Sequence, residues 1–210
     1  KMSKSKGNIL DPIEIINKFG VDETRYYLMK EVSHGSDGNI SLDNLVKCIN
    51  SDLANNYGNL CQRVFIFIKN NCNSKVFLTK NLTDADNDLL KKSNNLTNNL
   101  QNLMENMNLN NYIKSVIDIS FLTNKYINDE EPWKLKNKKK EKMNNILHIS
   151  LQQIVKISIL LNPIIPKATK KVLDALNIDD DLRNMSFLNR KIIISEDINI
   201  NELEILFKKV

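Results

Sequence analysis

The sequence predicts a mainly α fold, an antiparallel helix bundle with a short segment of different character ahead of it. Three observations carry this. Only 5 Gly and 4 Pro punctuate 210 residues, too few for the frequent turns of an all-β chain. Apolar residues recur at three- and four-residue steps over several long stretches, the period of a helix with one buried face. Hydrophobic residues make up 41% and charged ones 26%, enough apolar surface for a sizeable core within an ordinary soluble composition.

Taken in order, Asp11-Pro12 ahead of IEIINKF, with Gly20 behind it, reads as a short helix. Aspartate caps it, proline occupies its first turn and glycine stops it. Asp22 is expected to cap a second helix, ETRYYLMKEV, which ends before the polar loop 33–39. From Ser41 onward, Leu42, Leu45, Val46, Ile49, Leu53, Tyr57, Leu60, Val64, Phe67 and Ile68 keep helical spacing, which predicts one amphipathic helix of roughly seven turns. Thr83 with Asp86 three residues on is a capping arrangement for a third long helix, to about residue 108. A fourth starts near Asn111 and stops before Pro132, because the residue preceding proline is pushed out of the helical region. Residues 143–161 form a helix apolar on one side, residues 166–176 another, and Asp179-Asp180-Asp181 ends the bundle. Beyond it, 191–195 looks β-like and 202–208 amphipathic. Long helices joined by short turns give an antiparallel bundle, divided here as 1–39, a bundle over 40–185 and a tail over 186–210.

The charge balance, 30 basic against 25 acidic residues, is compatible with a polyanionic partner. Cys48, Cys61 and Cys72 are odd in number and widely spaced, which fits neither a disulfide framework nor a metal site and points to a reducing compartment. No run approaches the roughly 20 apolar residues of a membrane span. The chain opens inside a motif without an initiator methionine, so a longer parent protein is expected.

That motif is Lys1-Met2-Ser3-Lys4-Ser5, continuing through Lys6-Gly7-Asn8 to Asp11-Pro12. Lysines and serines ending at a glycine make a loop that can follow charge as it moves onto a leaving pyrophosphate. It resembles the KMSKS motif of the class I aminoacyl-tRNA synthetases. The resemblance implies that Lys1 and Lys4 contact ATP phosphates, with Lys4 favoured in the transition state, and that Met2, Ser3 and Ser5 complete the loop. The nucleotide-binding fold and HIGH motif of that class are not in this sequence, so the 210 residues alone are expected to be inactive in adenylation.

Two later stretches resemble the methionyl-tRNA synthetases in particular. One is NSDLANNYGNLCQR, ending at Arg63; the other is KYINDEEPW, ending at Trp133. Asn59 and Arg63 are four apart and share a helix face, about 6 Å apart along the axis. An amide and a guanidinium there can read the open base edges of an unpaired loop. By spacing alone the pair could equally be a solvated polar face, and Trp133, the sole tryptophan, could simply plug the bundle end. The resemblance implies instead that Asn59, Arg63 and Trp133 contact the CAU anticodon. Lys134, Lys136, Lys138, Lys139, Lys140 and Lys142 follow at once, either phosphate-attracting or merely a solvated helix start. His148 lies in an apolar helix and reads as a core residue; His34 has no partner spacing.

What the family resemblance implies is therefore the tRNA-binding part of a methionine–tRNA ligase. The parent would use ATP with Mg2+, bind the methionine tRNA and work with the catalytic part of the same protein. It would reside in the cytoplasm or in an organelle with its own translation. No metal site and no cofactor of its own are expected for the fragment. Two rivals cover fewer of these residues: the corresponding part of a leucine, isoleucine or valine enzyme, and a helical protein-interaction module without tRNA preference.

Overall fold

The computed structural model describes residues 11–35, 38, 40–79, 81–189 and 194–210. Two helices, α1 (Pro12–Phe19) and α2 (Val21–Glu31), meet at Gly20. Its φ of 106° is a conformation that a Cβ-bearing residue rarely adopts. Asp11 caps α1 as its sequence predicts, accepting from the Ile13 amide at 2.7 Å. Asp22 does not cap α2. It is buried in that helix's first turn and accepts from the Ala168 amide at 2.8 Å. Ala168 lies in the first turn of α10 (Pro166–Ala175), whose amides lack partners within their own helix. The aspartate therefore fastens the N-terminal pair to a helix some 146 residues away. Arg25 strengthens the joint by donating to the carbonyls of Ile164 and Pro163, at 2.9 and 2.8 Å.

The run from Ser41 is continuous, but it is not one uniform α-helix. α3 (Leu42–Cys48), capped by Ser41, and α4 (Asn59–Cys72) are joined by Ile49–Gly58 wound as a π-helix. Such winding is rare because it opens the helix core. Here tertiary hydrogen bonds hold it. Asp52 accepts from Tyr26 at 2.8 Å and from Lys30 at 2.5 Å. The Asn56 side-chain Oδ1 accepts from Ser120 at 2.8 Å and Asn124 at 3.0 Å. Gly58 closes the segment where space is shortest. A Cβ there would lie 2.8 Å from the Leu53 carbonyl oxygen and 3.3 Å from the Phe207 ring. Gly58→Ala is therefore expected to lose about 1–2 kcal/mol in urea unfolding, despite alanine's better helix propensity. A gain in stability would mean that the Leu53 carbonyl and the Phe207 ring yield without cost.

The predicted capping box of Thr83 and Asp86 opens α5 (Asp84–Thr97). The helix then stops short of residue 108, because Asn98 and Asn99 break it and a separate α6 (Leu100–Glu105) follows. Asparagine offers the backbone side-chain alternatives to the helical ladder. The turn lets Leu100 enter the core. α7 (Leu109–Glu130) and α9 (Lys140–Leu161) form the centre of the bundle, joined through the single turn α8 (Pro132–Leu135). α9 is not amphipathic in place: every residue from Met143 to Leu161 is buried, since α4, α5, α7, α10 and the sheet surround it. Its polar side chains find partners inside. The His148 Nε2–H donates to the Ser195 carbonyl at 2.8 Å, and Nδ1 accepts from Gln152 at 3.2 Å. Burial lowers the imidazole pKa, so it is a neutral core residue, as its sequence context suggests.

The tail differs most from expectation. Of the β-like patch 191–195, residues 191–193 lie outside the described residues. The strand is β2 (Asp197–Asn199), antiparallel to the unanticipated β1 (Lys75–Phe77), with Val76 opposite Ile198. Residues 202–208 form no helix and run extended along α4 and the π segment. A stretch that short cannot nucleate a helix by itself, and side chains of the long helix satisfy its backbone instead. Gln62 donates to the carbonyls of Leu203 and Glu204, and the Asn50 amide bonds both N–H and C=O of Val210. Phe207 is buried 6.5 Å, centroid to centroid, from Tyr57. Among the described residues no helix is long and apolar enough to cross a membrane.

Candidate nucleic-acid interface

α7 ends because Glu131 takes a left-handed conformation, φ 46°, unfavourable for a residue with a Cβ by about 1–2 kcal/mol. Two backbone bonds hold the corner: Glu131 N–H to Ile127 and Lys134 N–H to Glu131, at 3.1 and 2.9 Å. The corner buries Pro132 and turns Trp133 outward, leaving the indole 44% exposed. A tryptophan used only as a plug would be covered.

Beside it runs a groove of about 460 Å³ between α4 and the α7–α8 corner. Asn59, Arg63 and Trp133 all line it, so the structure brings together the three residues that the sequence singled out. Asn59 is exposed at the first residue of α4, and Arg63 stands one turn further, half-buried. Val64, Phe67, Ile127 and Leu147 supply apolar walls. The Arg63 Nη2 donates to Asn128 Oδ1 at 2.7 Å. That bond fixes the guanidinium plane while leaving further donors for a ligand.

Sequence reasoning passed over Asn128, Gln62, Asn70 and Asn71, which flank or line the same groove. Asn128 stands within the quoted stretch ending at Trp133, so proximity along the chain was the available signal. Asn70 and Asn71 were hidden by the abundance of asparagine pairs.

Two of the lysines after Trp133 are tied to carboxylates, Lys134 to Glu131 at 2.8 Å and Lys142 to Glu130 at 2.6 Å. Lys136, Lys138, Lys139 and Lys140 are exposed and make no ion pair with a described residue. Burial raises the pKa of the Cys72 thiol, at the end of α4, and the charges of Lys140 and Lys136 pull it down. Positive charge thus gathers where α4 leaves the groove. Apolar walls, an open indole face, amides and a guanidinium beside unpaired cations suit an unstacked base with its phosphate nearby.

The other predicted site residues, Lys1, Met2, Ser3, Lys4 and Ser5, lie outside the described residues. His34 is an exposed loop residue. No group of three or more His, Cys, Asp or Glu side chains among the described residues could hold a metal ion.

Comparison with known proteins agrees with this architecture. The family described as tRNA synthetases class I (M) matches residues 1–65, and the anticodon binding domain of methionyl tRNA ligase matches residues 78–210. The methionine–tRNA ligase of Rickettsia felis is 39% identical over 212 residues, covering 100% of this chain and 41% of the relative. That of Rhizobium meliloti is 35% identical over 188 residues, covering 90% and 36%. A crystal structure of Mycobacterium tuberculosis methionyl-tRNA synthetase bound by methionyl-adenylate superposes with a TM-score of 0.92 at 27% identity, over 99% of this chain and 42% of that one. The chain thus spans about two fifths of the length of the Rickettsia relative. By both family matches, this chain belongs to the class I methionyl-tRNA ligases, over the region that carries their anticodon-binding domain.

Proposed function

We propose that this chain is the tRNA-reading part of a methionine–tRNA ligase, and that unpaired anticodon bases enter the groove of Asn59, Arg63 and Trp133. One observation carries the reading: Asn59 and Arg63 of α4 and Trp133, far later in the sequence, line a single groove whose indole is open to solvent. Base–aromatic stacking contributes ~1–3 kcal/mol per base. Asn59 and Arg63 offer donors and an acceptor to base edges that are accessible only in an unpaired loop. Lys136, Lys138, Lys139 and Lys140 attract the adjoining phosphates, which makes affinity fall with salt without adding sequence preference.

In this reading the whole ligase joins methionine to its tRNA with ATP and Mg2+, in the cytoplasm or in an organelle with its own translation. Its catalytic part is the intramolecular partner of this bundle. Lys1 and Lys4 stabilise the phosphates, with Met2, Ser3 and Ser5 shaping the loop. The 210 residues alone form no adenylate, and methionine-dependent ATP–pyrophosphate exchange by the isolated chain would contradict that.

The test is binding of this chain to a methionine tRNA and to the same tRNA with an altered anticodon, at fixed salt, with and without Trp133→Ala. Each change is expected to weaken binding about tenfold, or about 1.4 kcal/mol. Equal affinity in all four combinations, fading together as salt rises, would reduce the groove to a neighbour of a basic surface.

A further inference from the structure

Gln62 lines the groove between Asn59 and Arg63, and its amide cannot turn over. Its Nε2 donates to the Glu204 carbonyl at 2.8 Å and the Leu203 carbonyl at 3.3 Å. Carbonyl oxygens only accept, so the NH2 group must face the C-terminal segment. Flipping the amide would set Oε1 against two other oxygens. The segment itself is anchored on either side of this contact. Glu202 pairs with Lys69 at 3.0 Å and Glu204 with Lys171 at 2.9 Å. Phe207 is buried and Val210 is bonded to Asn50. What remains of the amide is Oε1, which accepts from no described residue.

An ordinary surface glutamine presents a donor or an acceptor as its ligand requires. We infer that Gln62 is a specificity-determining residue of the groove, locked by the C-terminal segment as an acceptor and selecting a base with an exocyclic amino group. Cytosine and adenine carry an NH2 where uracil and guanine carry a carbonyl oxygen, so C→U or A→G would place oxygen against oxygen. A groove that leaves such a pair unmatched discriminates strongly, because neither oxygen recovers the hydrogen bond it had in water. The inference rests on the anticodon reading above and adds to it the sign of one contact.

The experiment measures dissociation constants of the 210-residue chain for anticodon stem-loop RNAs carrying CAU, UAU (C→U) and CGU (A→G), at fixed salt. Two variants are compared with it. Gln62→Lys keeps donors for the two tail carbonyls and removes the acceptor; Gln62→Met removes both. Ratios between RNAs are compared, so the added lysine charge cancels. For one of the two base changes, the wild-type chain is expected to bind about tenfold or more weakly, and Gln62→Lys to bind the pair within about threefold. Retention of the wild-type ratios by Gln62→Lys, whatever Gln62→Met does to thermal stability, would make Gln62 a clamp for the tail and overturn the inference. If the wild-type chain itself does not separate the three RNAs, the anticodon reading fails and the role of Gln62 with it.

Discussion

Asp86→Ala is expected to cost about 3 kcal/mol of stability, although Asp86 does not line the groove. The side chain is 0% exposed and serves two elements at once. One oxygen accepts from the Thr83 amide at 2.7 Å and completes the capping box of α5. The other accepts from the Tyr126 hydroxyl at 2.5 Å, across to α7. Burial and this carboxyl raise the Tyr126 pKa well above its ordinary value, so the phenol stays protonated and remains the donor. Alanine leaves the hydroxyl and an amide in the interior without an acceptor, losing about 1–3 kcal/mol at the phenol and about 1 at the cap. Urea unfolding of Asp86→Ala, Tyr126→Phe and the double variant measures this directly. If the bond is what matters, Asp86→Ala costs clearly less in the Tyr126→Phe background. Equal costs in both backgrounds would assign the loss to the cap alone.

Lys156→Met is expected to move stability the other way. Lys156 is 3% exposed in α9 and pairs with no carboxylate among the described residues. Among the described residues its ammonium donates only to Ser93 Oγ at 3.0 Å and Asn94 Oδ1 at 2.7 Å. Desolvation lowers its pKa from 10.5 to about 8, a penalty of about 3 kcal/mol while the group is charged. Below pH 8 both folded and unfolded chains hold the proton, and the penalty is present in full. Between pH 8 and 10.5 the folded chain releases its proton first, the unfolded chain binds more, and this group's contribution to stability rises with pH. Methionine removes the penalty but leaves the buried Ser93 Oγ without this donor, while the exposed Asn94 can turn to water, so a net gain of about 1–2 kcal/mol at pH 7 is expected. The readout is the difference between wild type and variant from pH 7 to 10. Cys48, whose buried thiol is pushed up to about 12, adds a slope of opposite sign that the subtraction removes. The variant's advantage should shrink as pH rises; a variant less stable at pH 7 would show that the two hydrogen bonds outweigh desolvation.

Local chemistry was legible wherever one residue and its near neighbours settle the outcome. Asp11 and Gly20 bounded α1, Ser41 opened the long helix, the Thr83–Asp86 box opened α5, and Pro132 marked the bundle corner. Helical periodicity marked most bundle helices, because burial of one face imposes it. The groove residues were legible for a different reason: their pattern resembles a family, whereas spacing alone left Asn59, Arg63 and Trp133 open to blander readings.

Which segments are helical, and where most of them start, follows from local chemistry alone. Caps, prolines and the 3.6-residue period act over a few residues and need no partner. The tertiary structure decided everything that depends on what stands opposite. It took Asp22, read as the cap of its own helix, and set it against a first-turn amide of another. It held a π-helix open with hydrogen bonds from Tyr26, Ser120 and Asn124, and buried α9 on every side. The tail stayed extended because Asn50 and Gln62 satisfy its backbone, and the same contact fixed the Gln62 amide at the groove. A buried polar group takes whatever partner packing brings within hydrogen-bond reach, and that partner can lie more than a hundred residues away.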